Sequence, residues 1–207
     1  YTVNCSGPSG SAQSSVTINV LPGDFSLSLG GSVVCNSVPL SWTSSSGAQA
    51  YRILRGSPRV DISPYQPYTF LNFTDTTVSQ NTSYIYQIEA YNSGGTKLSN
   101  ALNVDTPFCP PTLNFSGNPT TIFQGQSTTL TWVSTFTTSC TASSAPAQSS
   151  WSGSKAVNGS QVVVPNPPPN VTYNLQCSGP GGSTAVQGAT ITVVPLALPE
   201  WKEIIPR

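Results

Sequence analysis

The sequence contains no histidine. That removes the commonest general base, the commonest transition-metal ligand and every Ser-His-Asp or Cys-His nucleophile arrangement. Charge is almost as scarce: Asp, Glu, Lys and Arg make up 7% of the chain and cancel to a net charge of +0, against roughly 25% charged residues in an average soluble protein. With no run of like charges, the chain lacks the electrostatic footprint that nucleic acid or an anionic membrane attracts. Lys97, Lys155 and Lys202 sit in no SxxK pattern, and Asp24, Asp61, Asp75, Glu89 and Asp105 are widely spaced without a DxDxDG calcium loop. A carboxylate pair can still meet in space, as glycosidases require. The expectation is nevertheless no catalytic residue, no metal and no cofactor. No apolar run is long enough for a transmembrane helix, and the N-terminus lacks the basic start and apolar stretch of a signal peptide.

What the chain has is Ser, Thr, Val and Tyr, a composition that favours strands over helices. Alternation is common, as in Val16, Ile18 and Val20, in Ile85 to Ala90, and in Ile191 and Val193, while no window of helical length keeps an apolar 3.6 period. The fold class expected is all-β. The cysteines, 5 in number, are too far apart for a CxxC metal knuckle or redox pair. In a chain so poor in charge they read as disulfide partners in an oxidising, exported setting, the alternative being buried free thiols.

The two ends of the chain nearly repeat one another. Tyr1, Cys5, Gly7, Pro8 and Gly10 align with Tyr173, Cys177, Gly179, Pro180 and Gly182, and one extra residue later VTINVLP (16–22) falls on ATITVVP (189–195). Self-similarity of this kind marks a modular array. The second copy closes a module, whereas the first is expected to be the last part of a module whose remainder lies upstream of Tyr1. Pro22-Gly23, the Pro-rich joint 107–111 and Pro195 to Pro199 punctuate the rest. The expected organisation is terminal strands of an incomplete module over 1–22, a module over 23–110, another over 111–195, and a tail or linker over 196–207. Pro-rich joints are semi-rigid, so the modules are expected in a line.

Within the first complete module, strands are expected near 25–29, 38–43, 50–55, 68–73, 82–91 and 97–104, with a short one near 59–62. LSW (40–42), YRILRG (51–56) and FTDTTVSQNTSYIYQIEAYNSGG (73–95) resemble the buried-tryptophan strand, the third strand and the approach to the sixth strand of a fibronectin type III module. The resemblance covers about 80 residues and places that family's tyrosine corner on Tyr84. From 112 to 195, NPTTIFQGQSTTLTW, SCTAS, WSGSKAV and VTYNLQCSGPGGS resemble immunoglobulin-like modules of bacterial and archaeal surface proteins. LTWVS echoes LSWTS, and YNLQCSGPGGS aligns on YQIEAYNSGGT without gaps. The resemblances imply tandem antiparallel β-sandwiches, fibronectin type III-like and then Ig-like, preceded by the last two strands of a further Ig-like module.

The same resemblances imply the cysteine pairing. Cys140 lies past the tryptophan strand, so its bond to Cys177 is expected to join neighbouring third and sixth strands. In a seven-strand sandwich the first and seventh strands end at one pole, which implies a Cys35 to Cys109 bridge. It would close about 75 residues and contribute roughly 4 kcal/mol. Cys5 is expected to pair outside the fragment.

Tyr65, Tyr68, Phe70 and Phe73, with Pro64 and Pro67, form either a stacking surface for sugar rings or one strand filling the core with Tyr65 and Tyr68 on the adjoining loop. Asp75 reads as a turn-former. Asn-x-Ser/Thr occurs at Asn4, Asn72, Asn81, Asn114, Asn158 and Asn170, a weak glycosylation signal in a chain this rich in Ser and Thr. Lys97 and Lys155 lie outside the first strands where isopeptide-forming lysines sit. The tail, with Trp201, Ile204 and Ile205, is a linker, a juxtamembrane segment or a strand contacting a neighbouring subunit. The expected function is a structural or adhesive segment of an extracellular or cell-surface protein, a repeating subunit of a filament or stalk. Its expected partners are neighbouring copies or further modules of the same chain, and a glycan or cell-surface ligand. The rival is an accessory carbohydrate-binding or spacer segment of a secreted hydrolase.

Overall fold

Val38, Leu40 and Trp42 alternate with Pro39 and Ser41, and in the folded chain the first set is buried while the second is half-exposed. That two-residue period is the mark of a strand with one face on a core. The computed structural model, which describes residues 1–16 and 18–196, is built from such strands, with no helix among the described residues. The chain divides into two units, Tyr1–Pro107 and Phe108–Arg207.

The first unit begins with a hairpin, β1 (Thr2–Gly7) and β2 (Gly10–Ser15), which pair only with each other. There follow β3 (Leu27–Leu29), β4 (Val38–Trp42), β5 (Ala50–Arg55), β6 (Val60–Asp61), β7 (Gln66–Pro67), β8 (Asn72–Asp75), β9 (Ser83–Asn92), β10 (Gly95–Leu98) and β11 (Leu102–Asp105). One sheet runs β3-β4-β8 and the other β10-β9-β5-β6, with β11 on β9 and β7 on β5. Leu27, Val38, Leu40, Trp42, Tyr51, Ile53, Tyr86, Ile88, Ala90 and Val104 fill the space between them. This is the sandwich that the sequence implied, with three departures.

The strand expected over 68–73 is instead a change of sheet. Pro67 still pairs with Ala50, but the Phe70 amide closes a turn on the Pro67 carbonyl at 2.9 Å, and β8 then joins β4. Phe70 is left 52% exposed, while Phe73 packs on the core. The strand expected over 97–104 is broken in two. Ser99 takes the Ile88 amide on its hydroxyl and donates its own amide to the Ile88 carbonyl, and beyond it the register slips by one residue. Such a bulge twists and blunts a sheet edge. Asn100, displaced by the bulge, accepts the Leu27 amide at 2.8 Å and donates to the Leu27 carbonyl at 3.0 Å, standing in for a strand neighbour of β3. Third, the alternating Val16, Ile18 and Val20 lie outside any strand and are exposed. Alternation needs a neighbouring strand to become a ladder, and here β2 ends at Ser15.

Residues 18–23 run against the turn between β9 and β10. Asn92 donates to the carbonyls of Val20 and Gly47, and a Cβ on Gly94 would stand 2.6 Å from the Val20 oxygen, so glycine is needed there.

The second unit contains β12 (Thr112–Asn118), β13 (Thr121–Phe123), β14 (Thr128–Thr135), β15 (Ser139–Ala145), β16 (Gly153–Lys155), β17 (Gly159–Val163), β18 (Asn170–Gly179), β19 (Gly182–Ser183) and β20 (Gln187–Val194). Its sheets run β12-β14-β17 and β13-β20-β18-β15-β16, with β19 on β18. The first strand is shared: β12 pairs with β14 antiparallel, and β13 crosses to pair with β20 in parallel. Trp42 and Trp132 hold corresponding places on β4 and β14, each 4% exposed. Trp151, the first residue of the WSGSKAV stretch, is the fully buried centre of the second core. It stacks on Phe115 at 5.5 Å and meets Trp132 and Tyr173 edge-on at 5.3 and 6.1 Å.

Candidate functional site

A partly exposed grouping of charged and aromatic side chains lies on β5 and β9 and on the residue just before β7. Antiparallel pairing sets Arg52 directly opposite Glu89, and the guanidinium Nε donates to Glu89 Oε1 at 2.8 Å. Tyr65, just before β7, donates its hydroxyl to the same oxygen at 2.9 Å. The Arg52 guanidinium lies 5.1 Å from the Tyr65 ring centre, and the Tyr91 ring stands 5.5 Å from that of Tyr65, tilted by 51°. Asp61 extends the chain of charge through Arg52 at 3.5 Å. Burial, followed by the hydrogen bond to Glu89, pushes the Tyr65 phenol above its usual range. The result is a pair of tyrosine rings, Tyr65 held by a cation and a carboxylate and Tyr91 resting against it, 45% and 41% exposed.

Tyr65 and Tyr68 do not form the pair that the sequence grouped. Tyr68 is 61% exposed in the turn after β7, and among the described residues the ring that Tyr65 meets is Tyr91. Arg52, Glu89 and Tyr91 escaped the sequence reading because their meeting depends on the register between β5 and β9, which local alternation does not encode.

A second cluster is buried. Asp75 is 2% exposed and binds Arg55 Nη1 at 2.5 Å and the Tyr86 hydroxyl at 2.8 Å, while the Thr77 amide and hydroxyl donate to its other oxygen at 2.9 and 2.7 Å. Burial raises the Asp75 pKa, but the donations from Thr77, Tyr86 and Arg55 outweigh it and leave the carboxyl below its ordinary value. Tyr86 moves the other way, raised by burial and then by the bond to Asp75. The turn-forming role expected of Asp75 is present in the Thr77 contacts; the ion pair adds to it. Tyr84 is half-buried and its hydroxyl accepts the Ser79 amide at 2.8 Å, the hydrogen bond of a tyrosine corner. Arg55, Tyr86 and Thr77 thus converge on both oxygens of Asp75, and this cluster ties β5, β8 and β9 together inside the fold.

Cys140 and Cys177 are bonded, directly opposite one another on β15 and β18 with Cα atoms 4.0 Å apart. Cys35 and Cys109 are also disulfide-bonded, and Cys5 is a free, exposed thiol. Among the described residues no group of three or more His, Cys, Asp or Glu is placed to hold a metal ion, and no helix is long and apolar enough to cross a membrane. Trp201, Ile204 and Ile205 lie outside the described residues.

Neither a family model nor a curated protein sequence matches the chain. Solved structures similar to it include fibronectin type III domains. A two-domain segment of chicken tenascin is 14% identical with a TM-score of 0.43, over 83% of this chain and 98% of that one. The FN1–FN3 domains of chicken CNTN1 are 15% identical with a TM-score of 0.39, over 84% and 67%. The fibronectin(III)-like modules of Clostridium thermocellum CbhA are 11% identical with a TM-score of 0.34, over 82% and 94%. The described strands themselves define the class: tandem antiparallel β-sandwiches, fibronectin type III-like and Ig-like in their strand order.

Proposed function

We propose that the chain is a non-catalytic structural and adhesive segment of an exported surface protein, a repeating subunit of an extracellular filament or stalk. The observation that carries this reading is the oxidised state of Cys35, Cys109, Cys140 and Cys177, because stable structural disulfides belong to oxidising compartments. The low charge supports it, since polar, nearly neutral surfaces pack against one another without strong repulsion. The acids also support it: Asp75, Glu89 and Asp24 are each held in an ion pair with Arg55, Arg52 and Lys97. The partners of this reading are neighbouring copies or further modules of the same chain. Electron micrographs of the native material test it. Ordered linear assemblies are the expected result, and dispersed particles under the conditions of the native surface would overturn it.

One observation favours a second reading. The Tyr65 and Tyr91 faces beside Arg52 and Glu89 combine apolar ring surface with charged hydrogen-bonding groups, which is the chemistry a sugar ring meets in a binding site. An accessory carbohydrate-binding segment of a secreted hydrolase would use it so. Glycan-array binding that disappears in both Tyr65→Ala and Tyr91→Ala would favour this reading over the first.

A further inference from the structure

The hairpin β1–β2 repeats not only the sequence of β18 and β20 but their register. Tyr1 and Val16 exchange two backbone hydrogen bonds, each 2.8 Å, and their counterparts Tyr173 and Ala189 are paired in the second unit. Ser6 faces Ser11 as Ser178 faces Ser183. The extra residue in the second copy falls between these two pairings. What differs is burial. Tyr1, Val3, Val16, Ile18 and Val20 are 83%, 61%, 59%, 60% and 72% exposed, and Cys5 is exposed as well. Their counterparts Tyr173, Leu175, Ala189, Ile191 and Val193 are 0%, 0%, 8%, 0% and 1% exposed, and Cys177 is 0%. From Tyr173 to Val193 the inward side chains are thus matched in kind by tyrosine, aliphatics and cysteine, while the face of the hairpin is open and Ile18 and Val20 lie beyond its last strand.

The second unit also displays what covers such a face. β15 pairs along β18, placing Cys140 opposite Cys177 and Ala142 opposite Leu175, and Trp151 closes over Tyr173. The β12-β14-β17 sheet supplies Phe115, Leu130 and Trp132 to the same core.

We propose that the open face of the hairpin is a docking site for an Ig-like strand layer with the chemistry of residues 112–172, whose cysteine lies opposite Cys5 and becomes disulfide-bonded to it. The partner strand occupies the edge of β1 as β15 occupies the edge of β18, a form of β-augmentation in which ladder hydrogen bonds give affinity and side-chain pockets give specificity. The bond forms by thiol–disulfide exchange. One of the two thiols attacks a low-molecular-weight disulfide, releasing one small thiol, and the second thiol displaces the other, so two protons and two electrons leave the protein pair and reduce the small disulfide. This inference stands apart from the functional reading above, because it rests on the internal repeat alone.

The test is a full chain carrying an added copy of residues 112–172 joined directly ahead of Tyr1, so that an added Thr172 precedes Tyr1 as Thr172 precedes Tyr173. After incubation with oxidised glutathione, non-reducing peptide mapping is expected to join Cys5 to the added copy's cysteine 140. Amide exchange over 2–15 is expected to slow by about 100-fold relative to the unmodified chain, as an exposed hairpin becomes part of a core. A second version with Cys140→Ser in the added copy separates docking from crosslinking: protection is expected to persist without the bond. Hairpin amides and Cys5 labelling unchanged in both versions would overturn the proposal. So would a unmodified chain that dimerises with rising concentration through a Cys5–Cys5 bond, since the face would then take a second copy of itself.

Discussion

The Tyr86 hydroxyl and the Arg55 guanidinium donate to the same oxygen of Asp75, at 2.8 and 2.5 Å, in the interior of the first unit. A carboxylate held this way titrates below its unfolded value of about 3.9. Its contribution is present above that value and is lost as pH falls through the lowered folded one. The first unit is therefore expected to lose stability progressively below about pH 4, and Asp75→Asn to flatten that acid limb. At neutral pH the same substitution leaves Arg55 without its anion and is expected to cost about 3–5 kcal/mol. Amide exchange in β5 and β9 across pH measures both effects.

Tyr173 gives the opposite slope in the second unit. Its hydroxyl is buried with no hydrogen-bond partner among the described residues, and burial pushes its pKa up to about 12. A raised tyrosine contributes stability that is full below the unfolded value of about 10 and lost as pH climbs through the folded one. Tyr173→Phe is expected to remove that alkaline loss between about pH 10 and 12. It also removes an unpaired buried polar group, so at pH 7 the change should be neutral or stabilising by about 1 kcal/mol. Exchange in β18 and β20 reads this unit without interference from the other.

Trp42 and Trp132 hold matching positions but differ in one bond. Trp132 Nε1 donates to the Ala156 carbonyl at 2.8 Å, whereas Trp42 Nε1 is buried without a partner among the described residues. Replacing each by Phe removes similar volume, so the difference between the two isolates the hydrogen bond. Trp132→Phe is expected to cost about 1–2 kcal/mol more than Trp42→Phe in chemical unfolding. Trp151→Ala should exceed both at about 3–5 kcal/mol, because it empties the centre of an aromatic cluster.

Thiol counting tests the covalent frame. Titration of the denatured, unreduced chain is expected to find one reactive thiol, assigned by mapping to Cys5. A reactive Cys140 or Cys177 would contradict the bond between them described above.

Leu54 breaks the alternation in 50–55, which the YRILRG stretch marked instead. The tryptophan strand, expected over 38–43 and found at Val38–Trp42, was legible because alternation there coincides with real burial on one face. The break at Ser99 was not, because a side-chain hydroxyl replacing a ladder acceptor leaves the apolar pattern on either side intact. Phe70 looked like a core residue for the same reason: period-two spacing survives a turn that moves the next strand to the other sheet. Trp151 carries no alternation at all, since it sits in the turn between β15 and β16, and its role appears only when β18 is folded beneath it. Of the aromatic surface, composition exposed Tyr65 and Tyr68; the partners of Tyr65 required the register of β5 on β9.

The bond between Cys140 and Cys177 has a mechanical consequence. It spans a separation of 37 residues with a Cα–Cα step of 4.0 Å, and β16 and β17 lie wholly inside the loop it closes. At about 3.5 Å per extended residue, the enclosed segment corresponds to on the order of 120 Å of contour that tension cannot draw out. Pulled by its ends, the second unit would release only the chain outside the loop, carrying Phe115 and Trp132 away, while Trp151 and its neighbour Tyr173 stay tethered together within it. Once the load falls, refolding starts from that enclosed remnant instead of from a fully extended strand of polypeptide.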